Sequence, residues 1–236
     1  MNSFALQTFN GITFAALLFL LASGFTLTFG LMRIVNMAHG AYYLLGGYVG
    51  LTVAKTTGSF GWAVLAGGLA AAILGFVSDR VLIRRTGENH LAQVLITVGL
   101  AYVIGDVTIK VWGGDALKLP LPPTLRGVVE LPGGMIYPLY RLLLVVIGVA
   151  VAVMLWLIYR RTQIGAAIRA GVDDKEMVGA VGIHVDRLFV GVSALASFLA
   201  GCSGVLGGAF LTVYPGAEWE ILVFALVVVI VGGLGS

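Results

Sequence analysis

The sequence predicts an all-α protein, a polytopic bundle of transmembrane helices. Hydrophobic residues make up 59% of the 236 residues and charged residues only 11%, against about 25% charged in a typical soluble domain. A soluble chain of this length would need more charge to cover its surface. Glycine occurs 34 times, and small residues let helices approach closely inside a membrane.

Seven segments are apolar and almost free of charge, so we expect about seven spans, the last of them incomplete. A helix needs about 20 mostly apolar residues to cross about 30 Å of hydrocarbon. The second segment is rich in glycine, which makes it a candidate for a broken or re-entrant helix. The spans are predicted near 10–30, 38–54, 60–79, 91–110, 139–159, 188–211 and 221 onward.

The two ends of the chain lead to separate expectations. The first charged residue is Arg33, so the amino end lacks the basic region of a cleaved signal peptide, and the first apolar run is expected to remain as a span. The last run, 221–236, covers only about 24 Å at about 1.5 Å per residue. We therefore expect the last span to continue beyond Ser236. One membrane domain, 1–236, accounts for all seven segments.

Positive charges are distributed unequally between the two sides of the predicted bundle. Positive residues concentrate in cytoplasmic loops, so we expect loop 163–187 in the cytoplasm, and the amino terminus and the proline-rich loop 111–138 in the periplasm. The cations form no continuous basic face, so nucleic acid is not an expected partner. Nine of the 14 Lys and Arg lie on the cytoplasmic side: Arg33, Arg80, Arg84, Arg85, Arg160, Arg161, Arg169, Lys175 and Arg187.

Loop 163–187 contains the pattern of a short helix that lies outside the bilayer. Asp173 fits an N-cap, with Glu176 three residues later as its capping-box partner. Gly182 fits the left-handed position that ends a helix. Such a helix either docks into a groove on a partner protein or is an ordinary solvated connector, and the pattern leaves both readings open.

Two further features concern the inside of the bundle. Asn36 and His39 begin the second span, with Gly40 beside them, and polar groups at membrane depth are costly unless paired. These side chains therefore either tie helix ends together or line a substrate path. Two GxxxG spacings, Gly46/Gly50 and Gly204/Gly208, predict close helix crossings.

Together these residues resemble the signature of branched-chain amino acid ABC transporter permeases of the LivH type. The resemblance rests on the run Gly30–Gly50 with Arg33, Asn36, His39 and Gly40, on a pattern in loop 163–187, and on the terminal GGLGS at 232–236. It implies that the loop couples the permease to an ATPase, and that Asn36, His39 and Gly40 belong to the substrate path. The implied coupling residues are Gly165, Arg169, Ala170, Asp173, Asp174, Gly182 and Ile183.

The resemblance also implies partners and a location. It implies a multi-pass subunit of the cell inner membrane that works with a second permease subunit, two cytoplasmic ATP-binding subunits and a periplasmic substrate-binding protein. The sequence contains no GxxxxGK[ST] phosphate loop, so ATP hydrolysis is expected in partner subunits. The implied cargo is branched-chain amino acids, with urea or short amides as the alternative within the same family.

Two other classes of protein fit the sequence less well. An ion-coupled secondary transporter usually carries ionisable groups inside its spans, and here Asp106 lies within a span but is expected to pair with Lys110, one turn away. An enzyme is not expected, because the chain has no HExxH, GxSxG or paired-carboxylate motif. His39, His90 and His184 are far apart in sequence, so no metal site or cofactor is predicted.

Overall fold

A computed structural model describes residues 2–32, 36–87, 89–131, 134–173, 175–180, 182 and 184–232, and it is almost entirely helical. The helices are α1 (Asn2–Met32), α2 (His39–Thr57), α3 (Phe60–Val81), α4 (His90–Trp112), α5 (Leu139–Arg161), α6 (Gln163–Asp173), α7 (Lys175–Ala180), α8 (Val185–Phe210) and α9 (Ala217–Gly232). Single 3₁₀ turns cover Ile83–Thr86 and Pro123–Leu125, and one antiparallel hairpin joins β1 (Val128–Leu131) to β2 (Met135–Pro138).

The all-α membrane bundle predicted from composition is confirmed. Five of the described helices, namely α1, α3, α4, α5 and α8, are long and apolar enough to cross a membrane. The other two predicted spans are also helical, but α2 has 19 residues and α9 has 16. Loop 111–138 is confirmed as a structured connection rather than a span, since it carries a 3₁₀ turn and the hairpin.

Helix α2 is continuous, so the suggestion of a broken second helix is wrong. Most of its residues are buried against α3, α8, α9 and α4. Its glycines lie where neighbouring helices approach most closely, and they do not interrupt the helical hydrogen bonds. Polar side chains in membrane segments face the interior of the bundle rather than lipid, which fits the burial of α2 among other helices.

Three glycines meet where α2, α3 and α8 cross. A methyl group built on Gly46 would lie 2.5 Å from the carbonyl oxygen of Gly201, one on Gly201 would lie 2.5 Å from the carbonyl of Gly67, and one on Gly67 would lie 2.5 Å from the carbonyl of Gly46. Each glycine therefore leaves room for the backbone of the next. We call Gly46, Gly67 and Gly201 the glycine triad. The close helix crossings predicted from GxxxG spacing are confirmed. Gly46 belongs both to the predicted Gly46/Gly50 spacing and to the glycine triad.

The described loops define two ends of the bundle. The hairpin end contains residues 113–131 and 134–138 together with the α8–α9 connection. Leu117 and Val213 exchange backbone hydrogen bonds of 2.8 Å there, and Trp112 Nε1 donates to Thr52 Oγ1 over 2.8 Å. The basic end, opposite to it, contains the described residues of 162–184.

Local capping explains where the spans begin and end. Ser59 Oγ accepts a hydrogen bond from the backbone of Trp62 at the start of α3, and Asn89 Oδ1 accepts one of 3.0 Å from Ala92 at the start of α4. Gly58 ends α2 with φ 67°, a left-handed conformation that glycine adopts without a steric penalty. These short capped turns keep consecutive spans antiparallel.

Candidate functional site

The region of greatest functional interest is the helix pair α6–α7 at the basic end, between α5 and α8. Sequence reasoning missed α6. Thr162 supplies its amino-terminal cap, because its hydroxyl accepts a hydrogen bond of 3.1 Å from the backbone of Gly165. The expected N-cap role of Asp173 is wrong, since Asp173 is the last residue of α6. Thr162 has no Glu or Gln three residues later. It is therefore a weaker sequence signal for a helix start than Asp173 with Glu176.

Gly165 and Arg169 fix α6 to the last turns of α5. A methyl group on Gly165 would collide with the carbonyl oxygens of Ile158 and Tyr159. Arg169 lies one turn further along the same face, where its Nη1 donates to the carbonyl of Tyr159 and its Cζ lies 5.0 Å from the centroid of the Tyr159 ring. Two of the predicted coupling residues therefore contact the same turn of α5.

The remaining predicted coupling residues follow along α6 and α7. Ala170 is exposed on α6. Gly182 follows α7 with φ 86° and donates to the carbonyl of Gly179 over 3.0 Å, so the predicted left-handed glycine is confirmed. Asp174 and Ile183 lie outside the described residues.

Two apolar side chains on this helix pair face outward, and sequence reasoning missed the first of them. Ile164 at the start of α6 is 57% exposed and Met177 on α7 is 63% exposed. Val178, next to Met177, is buried with Phe189 of α8 in a small separate cluster. The helix pair is therefore attached to both α5 and α8 while part of its apolar surface faces outward.

A second group of polar residues lies at the start of α2, where Asn36 and His39 are both buried. Asn36 Oδ1 accepts a hydrogen bond of 3.0 Å from the backbone of Ala38. His39 Nε2 lies 3.0 Å from the carbonyl oxygen of Leu21 in α1, and its Nδ1 is buried with no hydrogen-bond partner among the described residues. Both side chains hold helix ends in this structure.

Helix α2 begins within the depth of the bundle rather than at its edge. His39 contacts α1 at Leu21, whereas α1 continues to Met32, about 16 Å further at about 1.5 Å per residue. The backbone of Met37 donates to Thr97 Oγ1 over 3.1 Å, and Thr97 is already two turns inside α4. The polar start of α2 therefore lies well inside the α1 and α4 ends.

Gly40 brings the start of α9 against the start of α2. A side chain on Gly40 would collide with the backbone carbonyl of Glu218. The Glu218 carboxylate is itself buried and accepts a hydrogen bond of 2.8 Å from the backbone of Gly216. Sequence reasoning missed Glu218, whose signal is an acidic residue just before the last apolar run.

Other ionisable groups are arranged differently from the prediction. Asp106 and Lys110 are exposed and do not come within 4.0 Å of each other, so the predicted pair is wrong. The ion pair found in the described part of the chain joins Arg84 Nε to the buried Asp79 Oδ2 over 3.1 Å. Its position, where α3 ends, indicates a structural contact at the basic end.

The other two histidines lie at helix starts at the basic end. His90 is the first residue of α4 and His184 immediately precedes α8, and both are exposed. Across the described ranges, no cluster of three or more His, Cys, Asp or Glu side chains is placed to hold a metal ion.

Comparison with known proteins identifies the family. Residues 7–236 match the family described as the permease component of the branched-chain amino acid transport system. The chain is 26% identical to the high-affinity branched-chain amino acid permease LivH of Escherichia coli K12, with 99% of this chain and 80% of LivH covered.

Two further relatives agree with this match. BraD, a high-affinity branched-chain amino acid permease of Pseudomonas aeruginosa, is 24% identical over 98% of this chain and 79% of its own length. A probable LivH of Methanocaldococcus jannaschii is 25% identical over 94% of this chain and 72% of its own length. No solved structure matches the chain. This chain therefore belongs to the family of branched-chain amino acid transport permeases.

Proposed function

We propose that this chain is the membrane-spanning permease subunit of an ABC importer, which moves branched-chain amino acids across the inner membrane. The observation that carries the proposal is the position of α6–α7, which lies between two long apolar helices and is attached to α5 through Gly165 and Arg169. The family match supports the transport role. Residues 1–236 form one permease domain of this subunit.

The helix pair α6–α7 is the docking element for cytoplasmic ATP-binding subunits. Exposed apolar side chains at Ile164 and Met177 suit a groove in a partner protein, which typically binds one face of an amphipathic helix. The coupling residues are Gly165, Arg169, Ala170, Asp173, Asp174, Gly182 and Ile183. Two permease subunits and two ATP-binding subunits form the transporter, and ATP hydrolysis takes place in the latter.

This assignment also fixes the orientation. The basic end faces the cytoplasm, because most Lys and Arg residues lie there. The hairpin end and the amino terminus face the periplasm, where a substrate-binding protein delivers the cargo. Motion of α6 is transmitted directly to α5, since the two helices are joined at Tyr159 by both backbone packing and a charge-assisted hydrogen bond.

The start of α2 belongs to the substrate path. Asn36, His39 and Gly40 are closed in by α1 and α9 in this structure, so they line the path in the conformation where these helices separate. Two features support the assignment: α2 begins within the bundle, and His39 Nδ1 is buried without a partner among the described residues. Buried polar groups left unpaired are expensive, and a substrate passing through supplies the missing partner.

Reconstitution tests the proposed function. The permease is placed in proteoliposomes with its cognate ATP-binding subunits and binding protein, and uptake of labelled leucine, isoleucine, valine and urea is measured with and without ATP. We expect ATP-dependent uptake of the three amino acids. ATP-dependent uptake of urea alone would show that the cargo is the alternative, urea or short amides, rather than branched-chain amino acids. Uptake that needs an ion gradient and no ATP would contradict the importer assignment.

A further inference from the structure

A cavity at the hairpin end is not used by the proposed coupling mechanism. It has a volume of about 300 Å³ and lies where the loop after α4 covers the start of α5 and the end of α8. Leu121, Leu125 and Phe210 form an apolar wall. This volume is at the lower end of the range for ligand pockets, roughly 300–1,000 Å³, so the cavity suits a molecule of a few heavy atoms.

The charged side chains around this cavity all have the same sign. Lys118, Arg126 and Arg141 line it, and its lining includes no acidic residue. Among the described residues, no carboxylate lies within 4.0 Å of any of these three cations. Like charges brought together without a counter-ion repel one another, and a negative ligand removes this cost.

Two of the three cations are held in place by contacts with neighbouring residues. Arg141 donates from Nη1 to Asn10 Oδ1, and its Cζ lies 5.3 Å from the ring centroid of Phe210. Arg126 Nε donates to the carbonyl of Leu121 over 2.8 Å. Fixing a guanidinium before the ligand arrives lowers the entropic cost of binding.

The surrounding backbone is also well anchored. Leu119 donates to the carbonyl of Gly208 over 3.2 Å and Leu139 to that of Gly127 over 2.9 Å. The hydroxyl of Tyr140, which lines the cavity, donates to the carbonyl of Leu206 over 2.6 Å. These bonds join the covering loop, α5 and α8 into one structural unit around the cavity.

We propose that this cavity is a binding site for the carboxylate of a small molecule with an apolar body. The carboxylate lies among Lys118, Arg126 and Arg141, because a guanidinium group binds a carboxylate with two parallel hydrogen bonds. The apolar body lies against Leu121, Leu125 and Phe210. A branched aliphatic acid has this combination of charge and size.

In the importer, the site is a reception site on the periplasmic face, and this part of the inference rests on the proposed function. A branched-chain amino acid released by the binding protein places its carboxylate among the three cations and its side chain on the apolar wall. The ammonium group remains in water at the open side. The site therefore selects for a carboxylate, whereas neutral urea or an amide leaves the cations unpaired.

A matched pair of ligands tests the proposal directly. The permease is placed in phosphatidylcholine nanodiscs, which offer no anionic headgroup, and binding of 4-methylpentanoate and of 4-methylpentanamide is measured by saturation-transfer NMR. The two molecules have nearly the same size and shape, but only the acid has a negatively charged end group with two acceptor oxygens. We expect binding of the acid and a loss of at least about tenfold in affinity for the amide.

Charge-removing variants locate the site. Lys118→Gln and Arg126→Gln change exposed side chains, so folding is preserved, and each is expected to weaken binding of the acid by about tenfold. Lys55→Gln is the control, because Lys55 is an exposed cation near the same end but outside the cavity. Equal binding of acid and amide, or unchanged binding in the Lys118→Gln/Arg126→Gln double variant, would overturn the proposal.

The result is separable from the test of function. Binding is measured on the permease without ATP or partner subunits, while transport is measured as ATP-driven uptake of leucine. Normal uptake without carboxylate binding at this cavity would reject the reception site and leave the importer assignment intact. Binding at the cavity without ATP-driven uptake would reject the importer assignment and leave the carboxylate site intact.

Discussion

The guanidinium of Arg169 donates to the backbone carbonyl of Tyr159 and lies 5.0 Å from the centroid of its ring. The first of these residues belongs to α6, outside the predicted spans, and the second to α5, one of the long apolar helices. The last four carbonyls of a helix have no hydrogen-bond partner within that helix. The contact therefore supplies a donor to the Tyr159 carbonyl of α5 and also holds α6 in place. Movement of α6 is therefore expected to act on α5.

Loss of the Arg169 side chain is predicted to separate ATP hydrolysis from transport. In Arg169→Gln, the charge-assisted hydrogen bond and the ring contact are lost, so ATPase activity continues while leucine uptake per ATP falls by about tenfold or more. Arg161→Gln is the control, because Arg161 is an exposed cation of the same region with no hydrogen bond or ion pair to the described residues. Uptake and ATPase activity are measured in the same proteoliposomes. Wild-type stoichiometry in Arg169→Gln would remove this residue from coupling.

Replacing Gly165 is predicted to displace α6 from α5. The methyl group of Gly165→Ala has no room between the carbonyls of Ile158 and Tyr159, and forcing extra atoms into a packed contact costs typically about 1–3 kcal/mol. Uptake is expected to fall while the amount of protein in the membrane stays unchanged. Gly179→Ala on α7 is the matched control, since a methyl group there meets nothing within 4 Å. Equal uptake in the two variants would show that the close α5–α6 contact is dispensable.

The glycine triad is predicted to determine the stability of the bundle. Gly46→Ala, Gly67→Ala or Gly201→Ala places a methyl group 2.5 Å from a backbone carbonyl, and backbone atoms cannot move aside as a flexible side chain does. Each variant should lower the Tm of the purified permease. The free energy of unfolding should fall by at least about 1–3 kcal/mol. Gly99→Ala, also within a span but with open space around it, should leave the Tm unchanged. A Tm drop of the same size in Gly99→Ala would attribute the effect to glycine content rather than to the crossing.

Sequence patterns predicted the spans well because a helix that crosses the lipid bilayer needs about 20 consecutive, mostly apolar residues. Charge-free runs of sufficient length gave α3, α4 and α5 with ends within about two residues of the observed ones, which is the usual uncertainty of helix boundaries. Single-position patterns worked where one conformation dictates one residue, as at Gly182, whose φ is 86°. Gly46 was found for a different reason, because its GxxxG spacing to Gly50 is typical of close helix crossings.

Contacts between elements distant in sequence could not be predicted in this way. Gly67 and Gly201 stand in α3 and α8, and no local pattern indicates that they meet. The pairing of Asp106 with Lys110 was wrong because helical spacing permits a contact without requiring it, and exposed pairs contribute little. Helix α6 was missed because the capping-box pattern at Asp173 is a stronger sequence signal than the single threonine cap at Thr162.

Variants of His39 distinguish a residue of the substrate path from a structural tie. His39→Ala removes the buried hydrogen bond to the carbonyl of Leu21 and should lower the Tm, since a buried group left unpaired costs about 1–3 kcal/mol. His39→Gln retains a donor for that carbonyl, so its Tm should remain close to that of the wild type. If His39 lines the path, the KM for leucine uptake rises in His39→Gln. A wild-type KM in this variant would limit His39 to tying α2 to α1.

Site-specific cross-linking at Met177 tests the central claim most directly. In a Cys202→Ala background, Met177→Cys on α7 and Ile136→Cys in the hairpin place single thiols on exposed positions at opposite ends of the bundle. The account predicts that the thiol at position 177 cross-links to an ATP-binding subunit and that the thiol at 136 does not. Labelling of position 177 by an impermeant thiol reagent added outside intact cells, or cross-linking of the ATP-binding subunit to position 136 instead, would contradict it.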